Sequence, residues 1–273
     1  MKGIVIAAGR GLRMRPYTDE RPKCMLDVHG RPLLDYTLDG LRAAGCSDIA
    51  IVTGHLAEKI RVPGCQFVHN ADFLNNNILH SLMYAREYFT DALIASYSDI
   101  YVEPSIYAKL AATSGDLVIA VDRDWQSYYE GRTEHPISEA EKVFVSVGRD
   151  SVAMVKKVGK HLDVAQSGDC LCGEFLGLWK MSAHGAKRFR EHFENLDARL
   201  DPLAPFHDAK QWRKAYITDF LTDLISDGAE VRCLLIDRGW AELDAVQDYQ
   251  RLPSLIQSQR LFSLAENTPS MGR

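Results

Sequence analysis

The chain has 273 residues, 46% of them hydrophobic and 25% charged, with a formal net charge of −5. That is an ordinary composition for a protein with a full core, and its acidic balance excludes a general nucleic-acid coat, which needs a basic surface. No stretch approaches the roughly 18–20 apolar residues of a membrane span.

"GIVIA" near the start is too short and too weakly flanked for a secretory signal. The expected compartment is therefore the cytoplasm, with neither nucleic acid nor membrane as a partner and a homodimer as one admissible assembly. The six cysteines (Cys24, Cys46, Cys65, Cys170, Cys172 and Cys233) are scattered, as suits reduced thiols.

In chain order, "GIVIAAG" reads as a buried strand running into a loop, and "PLLDYTLDGLRAAG" as a helix with Leu34, Leu38 and Leu41 on one face. "DIAIVTG" and "CQFVHN" read as strands, "NILHSLMYAREYF" as a second amphipathic helix, "ALIASYSDIYV" and "DLVIAVDRD" as further strands, with helical "PSIYAKLAAT" between them. Buried strands alternating with helices predict a parallel sheet covered on both faces. From about residue 140 the pattern changes: a hairpin turning at "GRDS", a strand "CGEFLGLWKM", helices "AHGAKRFREHFENL" and "AYITDFLTDLISDG", and one closing strand "EVRCLLIDRGWAELD". The expected fold is α/β: a Rossmann-like, mixed but mostly parallel sheet flanked by helices. One domain is expected over 1–255, with a small β-rich insertion at about 123–180 and a tail over 256–273.

The loop after the first strand carries Arg10, Arg13, Arg15, Arg21 and Lys23. Strand, glycine-rich loop and helix together form a phosphate cradle, because glycines let backbone N–H groups approach an anion. The loop lacks the Gly-Lys-Ser/Thr of a P-loop, and Met14 stands where a dinucleotide fingerprint wants a third small residue. So much like charge is costly unless an anion sits among it. The carboxylates are suggestive too. Asp99 ends a predicted strand, at the edge where open α/β sheets bind ligands, while Glu242 and Asp244 alternate and so share a face.

"AAGRGLRMRPYTDERPKCMLDVHGRPLLDYTL" resembles the signature of nucleotidyltransferases, which move an NMP group from an NTP to a phosphate-bearing acceptor. "NNNILHSLMYAREYF", "SDIYVEPSIY" and "WAELDAVQDYQRL" are similar to the phosphocholine and 2-aminoethylphosphonate cytidylyltransferase branch. The resemblance implies CTP bound by Ala7, Ala8, Gly9, Arg10, Gly11, Asn77 and Ser81, with Arg13 and Lys23 as the catalytic cations on its phosphates. It also implies that Asp99 joins Glu242 and Asp244 to hold Mg²⁺, for which hard carboxylate oxygens are suited.

For the acceptor, Trp125, Tyr128 and Tyr129 fall where the resembled enzymes build that site, and their faces would attract an alkylammonium. Glu174 and Asp219 are candidates to pair with an amine, and Trp212 and Tyr216 are further aromatic candidates. His69, His80 and His135 read as local hydrogen-bonding groups, since an anionic acceptor oxygen needs no base. The alternative enzyme is a sugar-1-phosphate nucleotidylyltransferase. A non-catalytic nucleotide sensor is disfavoured by Lys23, Asp99 and Asp244 occurring together.

Overall fold

The computed structural model describes residues 1–148 and 152–266. Strand β1 (Lys2–Ala7) is apolar on both sides, and its alternating residues divide between two cores. Ile4 and Ile6 face one cluster, while Val5 and Ala7 face the other. The chain then forms a short ribbon of β2 (Asp27–Val28) and β3 (Arg31–Pro32), helix α1 (Leu33–Ala43), and strands β4 (Asp48–Thr53) and β5 (Gln66–His69). Helix α2 (Ile78–Met83) follows, shorter than expected because the segment continues as a 3-10 turn at Arg86–Tyr88. Beyond it come β6 (Leu93–Tyr97), β7 (Ile100–Val102), α3 (Pro104–Ala112), β8 (Leu117–Asp122) and a single turn, α4 (Trp125–Tyr128).

The second half contains β9 (Lys142–Val147), β10 (Ala153–Gly159), β11 (Leu171–Met181), α5 (Ala183–Arg199), α6 (Ile217–Ser226), β12 (Val231–Ile236), β13 (Trp240–Glu242) and α7 (Val246–Glu266). Nine strands make one sheet in the order β5-β4-β1-β6-β11-β8-β12-β10-β9, in which β10 and β11 run against the others. Helices α1 and α3 cover one face, and α2, α5 and α6 the other. The α/β class is as expected. Within the expected insertion, β9 and β10 extend the main sheet. Its turn at "GRDS" lies mainly outside the described residues. Helix α7 runs past the expected boundary at 255, and residues 267–273 also lie outside the description.

Two segments read as single strands are each broken in two. "ALIASYSDIYV" divides into β6 and β7, and "EVRCLLIDRGWAELD" into β12 and β13 across a turn where Arg238 and Gly239 have φ of 58° and 83°. The broken-off pieces pair with each other: Glu242 lies opposite Ile100, and the Leu243 N–H donates to the Asp99 carbonyl at 2.8 Å. This side ribbon is what brings residue 99 alongside 242–244. Among the described residues, no helix is long and apolar enough to cross a membrane.

Candidate active site

The loop after β1 is shaped by Gly11, whose φ of 60° is in the left-handed region. A Cβ there would stand 3.2 Å from Thr18 Cγ2 and 3.3 Å from Lys23 Cβ, so the glycine admits Lys23 against the loop. The Thr18 hydroxyl donates to the Gly11 carbonyl at 2.8 Å and fixes the turn. Gly9 differs: a Cβ there would meet no protein atom, so the space it leaves opens into the cavity.

That cavity, of about 510 Å³, lies at the ends of β1, β6 and β11 and is bordered by the β7–β13 ribbon. Its wall includes every residue expected at the nucleotide: Ala7, Ala8, Gly9, Arg10, Gly11, Asn77 and Ser81. Arg13, Lys23, Asp99, Glu242 and Asp244 line it as well. Two of the five loop cations do not. Arg15 pairs with Asp19 at 3.1 Å on the surface, and Arg21 is exposed away from the cavity.

Lys23 is the centre of the charged cluster. Its ammonium stands 2.7 Å from Asp99 Oδ2 and 2.8 Å from Asp244 Oδ1. Burial opposes its charge, but the two carboxylates outweigh burial and raise its pKa above the ordinary lysine value. Asp244 responds in the opposite sense. Burial alone would raise its pKa, yet Lys23 and Arg13 (Nη2 at 3.2 Å) hold it well below the usual carboxylate range.

Glu242 is held by a partner of its own. It accepts from Arg132 at 2.6 Å, and burial together with neighbouring Asp244 pushes its pKa up to about 8 in spite of that arginine. Arg132 has a fully buried side chain that also grips Asp248 through two bonds of 2.7 and 2.9 Å. Asp248 in turn accepts the backbone N–H groups of Asp244 and Ala245 at 3.0 and 2.8 Å, so the Arg132–Asp248 clamp sets the path of the segment carrying both acids. Neither Arg132 nor Asp248 was singled out from the sequence. "WAELDAVQDYQRL" contains Asp248, but its spacing does not reveal a buried arginine more than a hundred residues earlier.

His135, read as a local hydrogen-bonding group, lies inside the site. Its Nδ1 is 3.2 Å from Asp244 Oδ2 and 3.3 Å from Arg13 Nη1. Burial lowers its pKa to about 4, which leaves the ring neutral near pH 7. His135, Glu242 and Asp244 bring one potential ligand atom each within 4.8 Å of one another. His80 and His69 lie elsewhere: His80 is edge-on to Phe193 and Trp212, and His69 is exposed.

The acceptor candidates divide. Glu174 and Tyr216 line the cavity, but Trp125, Tyr129 and Asp219 do not. Trp125 is buried with its ring N–H donating to the Cys172 carbonyl at 3.2 Å, because an indole inside a core must satisfy its one donor. Tyr128 and Tyr129 belong to the same apolar cluster. Trp212 is buried and donates to Asp197. Asp219 caps helix α6, accepting from the Tyr216 N–H at 2.8 Å and the Asp208 N–H at 2.9 Å. An acid three residues into a helix bonding back to the N-cap N–H is a readable sequence signal, and "YITD" carries it.

Residues 3–137 match the model of the MobA-like NTP transferase domain. Over 92% of its length the chain is 27% identical to the CTP:phosphoglutamine cytidylyltransferase of Campylobacter jejuni, covering 98% of that protein. It is 25% identical over 94% of its length to a glucose-1-phosphate thymidylyltransferase of Streptomyces griseus, covering 66% of it. The solved structure of CTP:phosphocholine cytidylyltransferase from Streptococcus pneumoniae has the same fold, with a TM-score of 0.67 at 20% identity, covering 93% of this chain and 98% of that one. Residues 3–137 thus carry a MobA-like NTP transferase domain.

Proposed function

We propose that the protein transfers the CMP group of CTP to a small acceptor bearing a phosphate or phosphonate and an amine, releasing pyrophosphate. The observation that carries this reading is the convergence of Arg13 and Lys23 with Asp99 and Asp244 on one glycine-edged cavity. The full-length similarity to a cytidylyltransferase supports the choice of nucleotide.

An acceptor oxygen attacks the α-phosphorus in line. A P–O bond forms there, the bond to the β-phosphate oxygen breaks, and pyrophosphate leaves with that electron pair. The attacking oxygen is already anionic, so positioning and charge stabilisation carry the catalysis. Lys23 and Arg13 would hold the triphosphate, with Ala7 to Gly11 along its edge and Asn77 and Ser81 beside it.

The donor set fits Mg²⁺, because Asp99 and Asp244 already flank one cation, the Lys23 ammonium, with hard oxygens. When bound, Mg²⁺ would neutralise phosphate charge at that place. Glu242, held by Arg132, would be the outer member of the set.

The test is a pyrophosphate-release screen of the four NTPs against phosphorylated and phosphonylated amines, alcohols and sugars. Turnover with CTP and an aminoalkyl acceptor is expected. Turnover confined to glucose-1-phosphate with UTP or dTTP would overturn the reading in favour of a sugar-1-phosphate enzyme.

A further inference from the structure

Three of the tyrosines expected at the acceptor carry the protein's own cations on their faces. Arg132 lies over Tyr128 and Tyr129, its guanidinium carbon 4.8 and 5.1 Å from the ring centroids, and Arg238 lies over Tyr128 at 4.5 Å. Tyr216, the acceptor candidate whose ring does border the cavity, carries Lys160 Nζ at 4.6 Å. Tyr97 also borders it, with Phe175 and Trp179 packed edge-to-face against it.

The same end of the cavity carries two acids with few hydrogen-bond partners. Glu174 is 3% exposed; its Oε1 accepts from the Tyr129 hydroxyl at 2.6 Å, while its Oε2 is buried without any hydrogen-bond partner. Glu141 also lines the wall, with a single long bond from the Tyr97 hydroxyl at 3.4 Å. Lys160, also on the cavity wall, stands 3.5 Å from Glu139 and its charge acts on Glu141 as well. Strand register keeps these groups together, since Glu174 lies opposite Lys142 on β9, and Lys142 lies opposite Gly159 on β10. Burial raises the pKa of both acids, of Glu141 to about 7, although the charges of Lys160 and Arg132 oppose the rise at Glu141 and Glu174 respectively.

A buried carboxylate oxygen without a partner is costly. A primary ammonium offers three N–H donors, whereas a trimethylammonium offers none. We propose that this end of the cavity, built from Glu174 and Glu141, selects acceptors whose cationic end is a primary ammonium and discriminates against a quaternary one. The inference rests on the cytidylyltransferase reading and deepens it.

Phosphoethanolamine and phosphocholine differ only in N-methylation, and 2-aminoethylphosphonate and its N-trimethyl analogue form a second such pair. With CTP saturating, kcat/KM is expected to favour the primary amine by at least about tenfold in a pair, the worth of one charge-assisted hydrogen bond. Glu174→Gln is isosteric and should raise KM for the amine by a similar factor, narrowing the preference while KM for CTP stays near wild type. Glu141→Gln should narrow it independently, which keeps the test intact if one variant folds poorly. Equal use of both members, a preference for the quaternary one, or turnover of neither would overturn the inference. If CTP is then still consumed with another phosphorylated acceptor, the cytidylyltransferase reading stands without it.

Discussion

Replacing Lys23 by Met removes the cation between Asp99 and Asp244 while keeping the length and apolar stem of the side chain. In the wild type that ammonium makes contacts of 2.7 and 2.8 Å, and its side chain is only 14% exposed. Each charge-assisted bond contributes about 1.5–3 kcal/mol, offset by the cost of dehydrating the ammonium, so a net stability loss of about 2 kcal/mol is expected near neutral pH. The effect on turnover should be larger, because a group aimed at charge developing in the transition state is typically worth about 10²–10³ in kcat. Asp244 is held below its ordinary pKa by Lys23 and Arg13. Its contribution to stability is therefore present above the unfolded carboxylate value of about 3.9 and is lost as pH falls toward its depressed folded value. The stability deficit of the variant should be full at pH 7 and shrink in acid. Urea unfolding at several pH values and continuous pyrophosphate release read the two effects. Turnover within a factor of about three of wild type would refute the role given to Lys23.

Arg132→Met leaves Glu242 and Asp248 facing each other without their shared cation, and breaking a buried pair in this way is expected to destabilise the fold by about 3–5 kcal/mol, measurable by urea unfolding. A loss below about 1 kcal/mol would show that the clamp is not needed. The acceptor KM should fall as pH rises through about 7, because Glu141, with its pKa near 7, attracts a cation only when ionised. Burial and the like charges of Asp219 and Asp244 set that value against Lys160 and the Tyr97 hydroxyl. The acceptor's own phosphate also titrates nearby, so the diagnostic is the wild-type profile minus that of Glu141→Gln. Identical profiles would remove Glu141 from acceptor binding.

The opening loop was legible because its chemistry is local: strand, glycines, arginine and lysine all fall within a single short stretch. The carboxylates at 99, 242 and 244 were legible as candidates from strand ends and alternation, but their meeting depends on the broken strands that form the β7–β13 ribbon. Of the aromatic acceptor candidates, Trp125 and Tyr129 lie outside the cavity wall for a physical reason. Trp125 and Tyr129 have the same composition and spacing whether they line a cage or fill a core, and only packing decides between the two. Arg132 was invisible for a related reason. An isolated arginine in a loop reads as solvated, and only its partners at 242 and 248 reveal a buried charge.

The placement of Lys23 also bears on the order in which ligands arrive. A divalent cation approaching alone would have to displace an ammonium already seated between Asp99 and Asp244, and it would leave that ammonium without a counter-charge. On the reading proposed above, a triphosphate arriving with its metal would avoid both costs, since its phosphates would give Lys23 a counter-charge and Asp99 and Asp244 would be free to hold the metal. That exchange would conserve ion pairing, so metal binding would be coupled to nucleotide binding.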